Sequence, residues 1–153
     1  MTAMDAVQLR TATLSDSEAL ARLLGEMGYP ADPTALEERL RPLLADGANH
    51  LVLVATVNYV VAGVIVGMLM PMLQHERPLG RITALAVDED QRGLGIGKRL
   101  VAGAERWFAE RGVSRLELTS AEQRGDAHQV RRPATAAVPA VFPRPGAEPL
   151  RRA

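Results

Sequence analysis

Residues 81–119 read RITALAVDEDQRGLGIGKRLVAGAERWFAERGVSRLELT, and the fold turns on how this stretch is parsed. RITALAVD has the length and apolar content of a strand, and it ends in the acids Asp88, Glu89 and Asp90. After QRGLGIGK, the residues Ile96, Leu100, Ala104, Trp107 and Phe108 recur at helical spacing and line one face of a helix. Gly112 stops that helix, and Val113 to Thr119 supplies a further strand. Gly93, Gly95 and Gly97 alternate where the first strand passes into the helix. Glycine leaves backbone amides unshielded, and a helix N-terminus is where such amides hold an anion best. The segment therefore asks for a phosphate, with Arg92, Lys98 or Arg99 adding a charge-assisted contact. A glycine-rich turn without a ligand is the plain alternative. Two familiar phosphate loops do not fit: Lys98 is followed by Arg99 where a hydroxyl residue is needed, and the glycine spacing is not that of GxGxxG.

Upstream, Val7, Leu9 and Thr11 alternate with polar neighbours as a short strand. Ser15 with Glu18 reads as a capping box, ahead of a helix striped by Leu20, Leu23, Leu24 and Met27 that runs to about Gly28. Pro30 and Pro33 punctuate a turn. Leu36, Leu40, Leu43 and Leu44 mark a second helix, in which Pro42 predicts a kink or an early end. His50 to Val57 and Tyr59 to Met70 are rich in Val and Leu and are parted by Asn58, which predicts two antiparallel strands joined by a tight turn. Helices before a hairpin, then strand, helix and strand, give an α/β sandwich with a mixed sheet.

Downstream the composition changes. Residues 1–130 carry 13 basic and 17 acidic groups, whereas residues 131–153, RRPATAAVPAVFPRPGAEPLRRA, carry five Arg and one Glu with five of the ten prolines. Proline removes amide donors and restricts its predecessor, so this tail reads as irregular. The expected organisation is one domain over 1–130 followed by that tail.

The chain of 153 residues is 47% apolar, with 18 Lys and Arg balancing 18 Asp and Glu, which fits a single domain without a global field for nucleic acid or an anionic membrane. No cysteine is present, which excludes disulfides, thiolate catalysis and cysteine-ligated metal centres. His50, His75 and His128 share no ligand spacing, so no metal is expected. The apolar run Val60 to Met70 is too short to span a bilayer, and a cytoplasmic protein is the default.

Taken together, Arg92-x-x-Gly95-x-Gly97 after ITALAVD, followed by an amphipathic helix and LELTS, resembles the GNAT family of N-acetyltransferases over about residues 6–130. The resemblance implies a three-layer α/β/α sandwich around a mixed, mostly antiparallel sheet. It implies that Arg92, Gly93, Leu94, Gly95, Ile96, Gly97 and Lys98 hold the pyrophosphate of acetyl-CoA. It places a bulge in the preceding strand, with the backbone of Leu85, Ala86 and Val87 along the pantetheine arm. Glu76 or His75, in the loop before that strand, is then the candidate general base, and Tyr29 a candidate acceptor contact. A solvated loop and a packing role are the plain alternatives for these residues.

After LTS the resemblance breaks. The family pattern of Ala-His-x-Phe-Tyr is met here by Ala127, His128 and Gln129, then Val130 and Arg131, so Arg131 stands where a tyrosine general acid is expected. Arginine stays cationic and cannot donate a proton as a phenol does. The break coincides with the change in composition; a shifted reading frame and a divergent tail give the same letters. It also implies that the usual C-terminal hairpin is absent or altered. The edge of the strand 113–119 must then be covered by the tail, a partner subunit or a second copy, which raises the expectation of a homodimer. Two functions follow: an acetyl-CoA-dependent N-acetyltransferase acting on a small-molecule or peptide amine, or a protein that keeps the fold and the CoA loop without turnover.

Overall fold

The computed structural model describes residues 6–91, 93–118 and the backbone of 137–139. In chain order these form β1 (Val7–Thr11), a 3-10 turn (Leu14–Asp16), α1 (Ser17–Glu26), α2 (Pro33–Ala45), β2 (His50–Val57) and β3 (Val60–Met70). β4 (Leu79–Val87), a second 3-10 turn (Glu89–Gln91), α3 (Ile96–Glu110), β5 (Arg115–Leu118) and β6 (Ala137–Pro139) follow. The six strands make one sheet in sequence order, antiparallel throughout except that β4 and β5 run parallel across the α3 crossover. The mixed, mostly antiparallel sheet expected from the sequence is therefore the sheet observed.

Alternation along the strands feeds two apolar cores. Ile65, Ile82 and Leu116 meet Ile96, Leu100, Ala104 and Phe108 of α3 on one face. Val52, Val54, Val64 and Ala86 meet Leu20, Leu23, Leu36 and Leu40 of α1 and α2 on the other. Trp107 is the exception among the α3 residues assigned to the buried face. It lies half-buried at the flank, edge-on to Phe108 and with the Arg111 guanidinium 3.9 Å over its ring.

Three local expectations are corrected. The first helix is not capped by Ser15 with Glu18: the Asp16 carboxylate accepts from the Thr13 N–H at 2.8 Å one turn earlier, and also takes both Arg10 Nη groups at 2.9 Å. That double use explains why Asp16 rather than Ser15 is buried. Pro42 does not end α2, which continues to Ala45; the proline is exposed in the last turn of the helix. The hairpin turn takes Tyr59 as well as Asn58, with φ of 73° and 52°, because a two-residue turn between right-twisted strands needs both central residues left-handed.

The tail read as irregular supplies one short strand. β6 pairs with β5 in the register Arg115↔Pro139, Leu116↔Val138 and Glu117↔Ala137. Along those residues the chain's own segment covers the β5 edge, one of the three covers that the sequence allows. No helix among the described residues is long and apolar enough to cross a membrane.

Candidate active site

The loop that decides the fold also builds the most distinctive surface. Gly93 and Gly95 have φ of 95° and 73°, conformations that side chains resist, and Gly95 is the N-cap of α3. The first helical bond runs from the Arg99 N–H to the Gly95 carbonyl at 3.0 Å, which leaves the amides of Ile96, Gly97 and Lys98 ahead of the ladder. The N-cap has no side chain to cap them, and the first turn holds no acidic residue to offset the positive end of the helix. A methyl group built on Gly93 or Gly95 would meet nothing within 4 Å, and one on Gly97 would meet only Val87 Cγ2 at 3.8 Å. Gly97 thus has no internal reason to be glycine. Space is kept open over unshielded amides, which suits a phosphate approaching the backbone. Ile96 itself is buried in the core, so of that residue only the amide is offered outward.

The strand leading into this loop follows β3 along its whole length and pairs with β5 from Gly80↔Leu116 to Ile82↔Leu118, where the described residues of β5 end. The register against β3 slips between Val66↔Ala84 and Gly67↔Ile82, so the extra residue is Thr83. The bulge therefore lies upstream of the Leu85, Ala86 and Val87 expected from the resemblance. Those three residues run regularly opposite Ile65, Val64 and Gly63, with Ala86 buried and its neighbours partly so.

The acids after β4 have a structural use. Asp88 accepts from the Asp90 N–H at 2.9 Å, fixing the second 3-10 turn, and from Arg22 Nη1 of α1 at 3.0 Å. Arg22 also donates to the Val61 carbonyl at 3.2 Å, so α1 is tied to the loop end of the sheet. Tyr29 is exposed in the turn that follows α1.

His75 and Glu76 lie at the other end of β4. They line a cleft of about 230 Å³ with Asn49, Leu69, Pro71, Met72, Arg77 and Pro78. Leu79 to Val87 spans roughly 26 Å at the usual strand rise, so the structure does not bring His75 and Glu76 to the glycine loop. Arg131 and His128 lie outside the described residues, as does Arg92. Among the described residues no group of three or more His, Asp or Glu is placed to hold a metal ion.

One pair escaped the sequence reading. Arg81 Nη2 donates to Glu117 Oε1 at 2.7 Å across the parallel β4–β5 register, with side chains 27% and 17% exposed. Arg81 is the charged member of β4, and Glu117 with Arg115 alternates with leucines in β5, which was the available signal. Their spatial pairing depends on the β4–β5 register, which the letters do not give.

Residues 17–130 match the acetyltransferase (GNAT) family. The chain is 32% identical over 127 residues to an aminoalkylphosphonate N-acetyltransferase of Salmonella typhimurium, covering 82% of each chain. Among solved structures, a ribosomal-protein-alanine N-acetyltransferase from Brucella melitensis biovar Abortus 2308 is 26% identical with a TM-score of 0.66, over 82% of this chain and 88% of that one. A transcriptional regulator from Bacillus halodurans C-125 is 25% identical with a TM-score of 0.71, over 85% and 95%.

Proposed function

The chain belongs to the acetyltransferase (GNAT) family, and from that premise we propose that it transfers the acetyl group of acetyl-CoA to a primary amine of a small molecule or peptide. The observation that carries the reading is the open, glycine-lined N-terminus of α3 at the C-terminal end of β4. The pyrophosphate is assigned to the amides of Gly93 to Lys98, with Arg92 and the Lys98 ammonium supplying charge. The pantetheine arm is assigned to the backbone of Leu85, Ala86 and Val87, running from the loop towards the bulge at Thr83. In that direction the thioester points to the end of β4 that carries His75 and Glu76, which keeps both as base candidates, directly or through water. Tyr29 stays a candidate acceptor contact.

Acetyl-CoA supplies an activated acyl carbon. The amine nitrogen, once deprotonated, bonds to that carbon, the carbon–sulfur bond breaks, and the thiolate leaves and takes up a proton. Holding amine and thioester together supplies much of the rate, and a CoA thiolate leaves without demanding a strong acid, so Arg131 in place of a tyrosine slows turnover rather than forbidding it. The protein is read as cytoplasmic, acting without metal, nucleic acid or membrane. The name of the Salmonella relative favours a small amine as acceptor.

The second reading, a CoA-binding protein without turnover, is favoured by Arg131 alone. Calorimetric titration of acetyl-CoA, with thiol release measured as amines are supplied, separates the two. Binding with release supports the enzyme, binding without release supports the second reading, and no binding removes both.

A further inference from the structure

We infer that Arg22 of α1 is a positioning residue for the glycine loop: through Asp88 it holds the segment that carries the phosphate-facing amides in place before the ligand arrives. This rests on the acetyl-CoA reading above and gives that site a residue that lies outside it. The loop has little to hold it from within. From Asp88 to Gly95 no described residue is buried, the 3-10 turn Glu89–Gln91 included. Leu94, partly buried against the α3 core, is the one apolar side chain in that stretch. Gly93 and Gly95 add the backbone freedom of glycine, which must be given up wherever an anion orders the amides. A loop ordered in advance binds more tightly than one that its ligand must order.

Asp88 is where the order is imposed. Its N–H donates to the Ala62 carbonyl at 2.8 Å, and its own carbonyl accepts from the Gln91 N–H at 3.0 Å. Its Oδ1 accepts from the Asp90 N–H at 2.9 Å, and its Oδ2 from Arg22 Nη1 at 3.0 Å. One residue thus joins β3 behind it, the turn ahead of it and α1 beside it. Arg22 Nη2 donates to the Val61 carbonyl at 3.2 Å, next to the Ala62 that Asp88 uses, so the guanidinium grips the start of β3 and the end of β4 together. Leu20, Ala21 and Leu23 of α1 are buried in the core, which presents Arg22 from a packed helix. The Glu26 carboxylate, 3.6 Å from Nη1, is a competing partner one turn along. An exposed ion pair alone contributes little. This one closes a loop of 66 residues onto an Asp88 side chain that is 18% exposed, and Asp88 uses its second oxygen to set the turn.

The test titrates acetyl-CoA and 3′-phospho-ADP, the nucleotide half of CoA, into the protein by calorimetry, and follows hydrogen exchange over residues 88–98 by mass spectrometry without ligand. Arg22→Met is expected to weaken both ligands by the same factor, about three- to tenfold, the scale of one net hydrogen bond. It is also expected to speed exchange over 88–98 while exchange in β2 and β3 is kept. Arg22→Lys keeps the charge but has no fork to reach Asp88 and Val61 at once, and recovers part of the affinity. Asp88→Asn weakens both ligands, and the double variant with Arg22→Met is no weaker than the worse single one, as for two residues acting as a unit. Glu26→Gln removes the competing carboxylate and leaves affinity unchanged. An Arg22→Met that binds both ligands as the unaltered protein does overturns the inference, as does a loss confined to acetyl-CoA or an equal loss in Glu26→Gln. Failure of the unaltered protein to bind either ligand removes the acetyl-CoA reading and the inference with it. The expected losses without thiol release to any amine uphold the inference and remove turnover instead.

Discussion

Two residues show how local chemistry sets separate outcomes for stability and binding. Gly97 sits in the first turn of α3 with ordinary helical φ and open space where a side chain would go. Replacing it with alanine narrows the unfolded ensemble at no native cost, so Gly97→Ala is expected to hold or raise stability by about 0.4–1 kcal/mol. The same methyl group obstructs the approach to the amides, so acetyl-CoA affinity is expected to fall; thermal denaturation and calorimetry on one sample check both. Asp16 is the other case. Its carboxyl is held below the ordinary range, first by the hydrogen bonds from Arg10, against the opposing effect of burial, with Thr13 adding to the lowering. A depressed folded pKa means stability that is present above the unfolded carboxylate pKa and is lost as pH falls through the folded value. Asp16→Asn is expected to cost about 1.5–3 kcal/mol at neutral pH, as for losing hydrogen bonds to a charged, largely buried carboxylate. It should also flatten the acid limb of a stability–pH curve, and a limb of unchanged slope would show that Asp16 does not carry it.

Among the elements, α3 was the most legible. Ile96, Leu100, Ala104 and Phe108 are spaced for one face, and all four are buried. The sequence did not reveal what that face needs beneath it. Gly67 and Gly80, neighbours across β3 and β4, form a notch for Phe108: a methyl group on Gly67 would come within 2.8 Å of its ring, and one on Gly80 within 2.7 Å of the ring and 2.6 Å of Leu116. Gly80→Ala is therefore expected to destabilise by about 1–3 kcal/mol through overpacking, read from urea denaturation. A neutral result would mean that Phe108 and Leu116 can shift together. Glycine in a strand signals a close approach, yet only the packed layers name the approaching group. The bulge was legible as an expectation and misplaced, because a one-residue slip depends on the partner strand and leaves no mark in ITALAV.

At the scale of the molecule, the parallel β4–β5 pair and the short β6 beside it are what close the sheet. An uncovered strand edge recruits other strands. Removing residues 136–153 is expected to expose β5 from Arg115 to Glu117 and to produce concentration-dependent self-association in sedimentation velocity. A truncated chain that stays monomeric would show that this edge needs no cover. The same arrangement makes the candidate site a composite: its amides come from the start of α3 and its strand backbone from β4, which runs into the loop ahead of that helix.

The letters alone determined the order of helices and strands from β1 to β5, the mixed sheet and the glycine loop, because each rests on short-range periodicity or on backbone freedom that one residue type supplies. Gly93, Gly95 and Gly97 announce unshielded amides wherever the helix goes. Only the tertiary structure decided that Asp16 rather than Ser15 anchors the turn ahead of α1 through Thr13 and Arg10, that His75 and Glu76 stand a strand's length from the loop, and that Arg81 meets Glu117. Those facts depend on register and on which faces pack together, and both are set by the balance of burial across the whole sheet, so no local window of sequence contains them.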